Sequence, residues 1–203
     1  MACDMLNALR RSVLLRLAVM TLFLAFVGVS WGQASKRPVS SEPQRKQLAM
    51  GYTLLYQEAD GIPKLKWILT FRKKSDEMAR VTDDLATFYQ ELAHRLEQLS
   101  KKYPAVRIDA EPMSKIEAET RKAIGADLAK DLAPVIGRQG VEFEREALLM
   151  FYNSLNEQRH LAGVMLGLET EPALKEFLQK TKGQLDAKYG RVGALLDRKY
   201  FAH

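Results

Sequence analysis

Two short motifs carry residue types that could do chemistry. Glu91-x-x-His94 and Glu157-x-x-His160 each place a carboxylate three residues ahead of an imidazole. On a helix that spacing brings both side chains onto adjacent turns of one face. A Glu-x-x-His on each of two helices, completed by a Glu from each of two others, holds a pair of iron or manganese ions inside a helical bundle. The motifs can do this only if their helices turn them inward, so the elements that carry them decide the matter.

Helix signals dominate the chain. There is no Asn-Gly or Asp-Gly turn and no long alternating β-branched run. A first helix is expected from about Glu42 to Asp60, with Ser41 as N-cap, Pro43 in its first turn and a stripe of Leu48, Tyr52, Leu55 and Tyr56. "DGIP", 60–63, reads as its end. A long segment follows over 64–102, with a bend expected at "RKKSDE", 72–77. Met78, Val81, Leu85, Phe88, Leu92, Leu96 and Leu99 recur along it at spacings of three and four, the seam of a bundle helix. Pro104 stops it in a loop over 101–112.

Ser114 and Glu117 form a capping box for a shorter third helix near 115–132, with a weak stripe of Ile116, Ile124, Leu128 and Leu132. Pro134, Gly137 and Gly140 break it. The fourth helix is expected over 141–169, with Phe143, Ala147, Met150, Leu161, Met165 and Leu168 inward. Thr170 reads as the cap of a last helix running to about residue 199, and "KYFAH" closes the chain as an exposed aromatic tail. Short connections join antiparallel neighbours. The expected fold is therefore all-α, an up-and-down bundle of helices 1, 2, 4 and 5, with the short helix 3 in a crossover.

The start of the chain has a different character. Arg10, Arg11 and Arg16 precede the apolar run "LAVMTLFLAFVGVSW", and Gly32 and Ala34 are small residues placed for cleavage after Ala34. Residues 1–34 read as a signal peptide, 35–43 as a flexible leader and 44–200 as the bundle domain. An uncleaved anchor helix is the alternative, although the run is shorter than the roughly 20 residues a span needs. The single cysteine, Cys3, lies in the expected signal peptide, so the rest of the chain has no thiolate nucleophile, thiolate zinc site or disulfide. Lys and Arg number 31 against 25 Asp and Glu, and removing the three Arg and one Asp of residues 1–34 leaves +4, interspersed along the helices. No basic block with interleaved aromatics points to nucleic acid. Peripheral contact with a membrane or cell wall stays open.

"LKEFLQKTKGQLDAKYGRVGALL", 174–196, resembles the last helix of a family of exported bacterial ferritin-like four-helix bundles of unknown function, with Leu174, Lys175, Phe177, Lys180, Thr181 and Leu185 matching. "MARVTDDLATFYQEL", 78–92, is similar to the family's second helix: Asp83 and Asp84 stand, and Leu85 replaces a His. In "RHLAGV", 159–164, His160 is retained and Arg159 replaces an acid, while Lys188 and Tyr189 occupy the family's third position. The resemblance implies a ferritin-like bundle, periplasmic or associated with the outer membrane, degenerate in its His positions.

Helical angles then judge the opening motifs. Each residue turns the helix about 100°. With Leu92 inward, Glu91 lies about 100° off and His94 about 160° off, a surface pair. With Leu161 inward, Glu157 lies about 40° off and His160 about 100° off, so Glu157, with Ser154 one turn away, reads first as part of a hydrogen-bonded boundary cluster that fixes helix register, and Glu157 and His160 are the candidate metal ligands of the alternative reading. Glu58 and Glu176 are the acids on outer helices that could join them. The expectation is an exported, non-enzymatic interaction module of the bacterial envelope, periplasmic or secreted, without a cofactor. Its partner would be an envelope protein or a second copy meeting it through helical faces. The alternative is a metal-binding or redox protein holding iron, manganese or zinc at Glu157 and His160.

Overall fold

The computed structural model describes residues 41–70, 74–111, 115–131 and 140–201. The expected signal peptide, the leader before Ser41, the Ser114 cap, the breakers Pro134 and Gly137 and the last two residues of the tail lie outside them, as does the side chain of Trp67. The described residues contain no strand. They form α1 (Glu42–Thr70), α2 (Asp76–Lys102), α3 (Lys115–Asp131), α4 (Gly140–Leu168) and α5 (Pro172–Leu196), followed by a π-helical turn, Asp197–Phe201. None of these helices is long and apolar enough to cross a membrane.

The helix boundaries follow local chemistry, with two corrections. The Ser41 hydroxyl accepts the Gln44 N–H at 3.4 Å, as its capping position predicts. α1 does not end at "DGIP" but continues through Gly61 and Pro63 to Thr70. Proline inside a helix costs about 3 kcal/mol. The stripe begun by Leu48, Tyr52 and Leu55 runs on through Ala59 and Ile62, both buried, and enclosing an Ile side chain is worth about 1.5–3 kcal/mol. Lys64 and Asp60 pair across the proline on the outer face. The expected bend at 72–77 is instead the start of α2: the Ser75 hydroxyl accepts the Met78 N–H at 3.4 Å, with Asp76 and Glu77 in the first turn and Lys101 and Lys102 in the last, matching the helix dipole.

α1 packs against α2, and α4 most extensively against α5; the two pairs meet chiefly through α1 and α4, while α2 and α5 touch least. Side-chain links run antiparallel across each of these pairings, such as Tyr56 with Glu97, Tyr152 with Tyr189 and Lys188 with Asp84. The core lies between them, around Tyr52, Tyr89, Phe143 and Phe151. Gly51 lets α4 approach α1, because a Cβ there would lie 2.8 Å from the Met165 sulfur. α3 stands apart from this ring in character: Ile116 and Ile124 of its expected stripe are 79% and 62% exposed.

Buried carboxylates tie both ends of the bundle. At one end Glu169, 4% exposed, accepts the Tyr52 hydroxyl at 2.8 Å and the N–H groups of Thr170 and Glu171 at 2.9 and 3.0 Å. Glu171, not Thr170, holds the N-cap position of α5, without a side-chain cap and ahead of Pro172, while the Glu169 carboxylate binds the two N–H groups just before the helix. At the other end Glu144, 6% exposed, accepts the Ser75 hydroxyl at 3.0 Å, Lys199 at 2.6 Å and Tyr200 at 3.1 Å, as well as the Ser75 N–H. The closing "KYFAH" is therefore not simply an exposed tail. Lys199 and Tyr200 fold back onto Glu144, and Phe201 remains exposed.

Burial opposes ionisation of Glu144, but Lys199, Ser75 and Tyr200 outweigh it and hold the carboxyl below the usual range. A carboxyl depressed in the folded state stabilises above its unfolded value of about 4.3, and that contribution disappears as pH falls through the folded value. Glu144→Gln is expected to lower stability by about 1–3 kcal/mol at pH 7. In urea unfolding, the gap to the parent chain should shrink once the pH falls below about 4.

Candidate functional site

The structure separates the predicted metal ligands from the core. Glu157 and His160 are both exposed. The inner face of α4 runs through Phe143, Ala147, Phe151, Leu155, Gln158, Ala162 and Met165, while Leu161, Met150 and Leu168 are only partly buried. Leu161 lies about 60° around the helix from Gln158, so taking it as the inward direction turned Glu157 and His160 toward the core. Measured from Gln158, Glu157 lies about 100° and His160 about 200° around the helix. His94 is on the surface as its angle predicts, bonded to Gln98 at 2.9 Å. Among the described residues no three His, Cys, Asp or Glu side chains gather closely enough to hold a metal ion.

Arg159 turns toward α5. It donates to Asn156 at 3.0 Å and Asp186 at 3.4 Å, and its guanidinium lies 4.3 Å above the centre of the Tyr189 ring. Tyr189 in turn stacks on Tyr152 at 4.2 Å, their hydroxyls bonded to each other. Lys182 and Arg159 together hold the Asp186 carboxyl below its usual range, Lys182 more strongly.

The resemblance positions do not converge. Asp84 accepts Lys188 at 2.8 Å and Arg191 at 3.3 Å, an ion cluster between α2 and α5, and His160 is exposed on α4.

A polar layer does cross the middle of the bundle, through Ser154 and Gln158, one residue on from Glu157. Gln158 donates to the Ser154 hydroxyl at 3.0 Å, and Ser154 faces Glu58 of α1 at 3.4 Å. The Tyr89 hydroxyl of α2 lies beside them; burial foremost, with the charge of Glu58, pushes it far up against the opposing effect of the Ser154 and Gln158 side chains, so it stays protonated. The three-and-four spacing from Phe143 to Met165 passes through Gln158 and was the signal that could have found this layer.

The α2–α5 seam is uneven. In the half nearest the C-terminal turn it is zipped by Asp84 with Lys188 and Arg191, and by Glu77 with Arg198 at 2.6 Å. In the other half it opens into a groove of about 530 Å³. Phe88, Leu92, Leu99 and Phe177 form the apolar lining, and Tyr103 stands at one end. Arg95, Lys102, Lys180, Glu91 and Glu176 line the rim. Among the described residues none of these five takes part in an ion pair; Lys102 instead lies 5.2 Å over the Tyr103 ring. An apolar trough edged by charges of both signs is the chemistry of a helix-in-groove contact.

Comparison with family models, with curated proteins and with solved structures returned no match to this chain.

His160→Ala is expected to change stability by less than about 0.5 kcal/mol, as an exposed substitution does. Arg159→Ala, which removes the Tyr189 and Asp186 contacts, should cost about 1 kcal/mol. Urea unfolding of the two variants gives both values, and a larger loss for His160→Ala than for Arg159→Ala would reverse the assignment.

Proposed function

We propose that the chain is an exported, non-enzymatic interaction module of the bacterial envelope, ferritin-like in topology, and that the open half of the α2–α5 seam is its contact surface. The observation that carries this reading is the groove itself, an apolar floor with an unpaired mixed-charge rim. Its lining runs over residues 88–103, to just beyond the end of α2, and residues 173–184 of α5, and at 1.5 Å per residue the α2 side is about 20 Å long, which suits three to four turns of an amphipathic helix. The partner that fits is a helical segment of another envelope protein, bearing acids against Arg95, Lys102 and Lys180 and a base against Glu91 or Glu176. The arginine-flanked apolar run at the start of the chain supports export. The antiparallel ring, in which a long connection containing α3 joins α2 to α4, supports the ferritin-like reading.

A photo-crosslinking residue at Gln98, on the groove, is expected to give a discrete adduct in cells, while one at Asn153, on the outer face of α4, gives none. Arg95→Glu combined with Lys180→Glu should reduce the adduct about tenfold and leave stability within about 0.5 kcal/mol of the parent chain. Equal adducts from both positions, or indifference to the charge reversal, would refute the groove as the contact surface.

A further inference from the structure

We propose that Tyr152 of α4 and Tyr189 of α5 form a site of oxidative modification, a pair placed to couple ring to ring into dityrosine when a peroxide-driven one-electron oxidant reaches the chain. This inference is independent of the groove and of any partner.

The pair is held from several sides. The rings stack with their centroids 4.2 Å apart and their planes 22° from parallel, and the Tyr189 hydroxyl donates to the Tyr152 hydroxyl. Arg159 stands about two turns beyond Tyr152 on the same face of α4, and its guanidinium sits 4.3 Å from the centre of the Tyr189 ring. Tyr189 therefore enters between two side chains of α4. Gly193, one turn further along α5, gives the Tyr152 ring its room: a Cβ there would stand 3.0 Å from Tyr152 Cε2. Both tyrosines are only half-buried, so a small oxidant can reach them.

The chemistry follows from that geometry. A phenol that gives one electron to the oxidant and its hydroxyl proton to water becomes a phenoxyl radical, with spin on the oxygen and on the carbons ortho to it. That spin lies in an orbital perpendicular to the ring, so coupling proceeds face to face. Rings superposed at both centre and hydroxyl also bring an ortho carbon of one over an ortho carbon of the other. Two radicals so placed form one carbon–carbon bond. Each bonded carbon then loses its hydrogen as a proton to the phenol oxygen, which restores both rings. The pair has then given up two electrons and two protons, which reduce one hydrogen peroxide to two waters. Well-oriented intramolecular pairs reach effective concentrations of about 10⁵ M or more, so at micromolar protein coupling within a chain outruns coupling between chains. Beyond Cys3 the chain has no thiol to take up the oxidation first. The product is a covalent tie between α4 and α5, where no disulfide can form.

The test exposes the purified chain to hydrogen peroxide and a soluble haem peptide that acts as a one-electron peroxidase catalyst. Dityrosine fluorescence, intact mass and the digested peptides are followed. The expected product is monomeric, lighter by two hydrogen atoms, and yields a cross-linked peptide pair containing Tyr152 and Tyr189. The yield should fall at least about tenfold in Tyr152→Phe and in Tyr189→Phe and stay at the parent level in Tyr56→Phe. Phenylalanine keeps the stacked ring, and the peptide map of the parent chain stands without any variant, so the test does not rest on a variant folding. Dityrosine at other positions, dityrosine formed only between chains, or fluorescence that survives both substitutions would overturn the proposal. So would oxidation confined to methionine, with no cross-link.

Discussion

The Glu169 carboxylate is the contact on which the arrangement of this bundle depends. A charge enclosed to this degree is tolerable only with its lone pairs filled. Glu169 fills them from two sources: the Tyr52 hydroxyl of α1, and the backbone N–H groups of Thr170 and Glu171 in the turn leading into α5. One side chain thus ends α4, starts α5 and pins the resulting hairpin to α1. Burial and the adjacent carboxylate both push the Tyr52 hydroxyl far up, so it remains a donor throughout the working pH range. At the opposite end Glu144 gathers the start of α2, the start of α4 and the C-terminal turn in the same manner.

These ties are unequal around the ring, and the inequality produces the surface of interest. Near Glu169 the α4–α5 hairpin is fastened to α1, not to α2. The ion pairs joining α2 to α5 all lie toward the Glu144 end, at Glu77 and Asp84. Beyond them the two helices part over Phe88, Leu92, Leu99 and Phe177. The groove is a consequence of where the polar clasps sit. Arg95 and Lys180 share the rim with Glu91 and Glu176, and none of the four takes part in an ion pair among the described residues.

Much of the architecture was legible from spacing. The seam of α2 from Met78 to Leu96, the stop at Pro104, the start near Gly140 and the last helix from Pro172 all follow from local pattern, since each depends on residues within a few turns. What failed needed tertiary information. Pro63 signals a stop, and only the burial of Ile62 carries the helix through it. Thr170 looks like a cap, but the buried Glu169 supplies the oxygen. Leu161 looks more inward than Gln158 on apolarity, yet the seam runs through the glutamine because Tyr89, Ser154 and Glu58 make that position polar. The same rotation, about 60°, misplaced Glu157 and His160. The groove was not legible at all: its lining residues appear as ordinary seam positions, and the separation of α2 from α5 is set by contacts distant in sequence.

Two buried threonines offer a matched probe of the claim that the α2–α5 seam is open in one half and closed in the other. Thr181 lines the groove, and Thr82 lies on α2 between Glu77 and Asp84, the residues that zip the other half, with exposures of 3% and 2%. The chain's one native thiol is Cys3, so in a Cys3→Ser background a cysteine at either position reports alone. The measurement is the rate of thiol labelling of Thr181→Cys and Thr82→Cys in the folded chain. The account predicts that Thr181→Cys reacts at least about tenfold faster, through local opening of the unclasped half. Equal, slow labelling at both positions would mean that the seam is closed along its whole length and would contradict it.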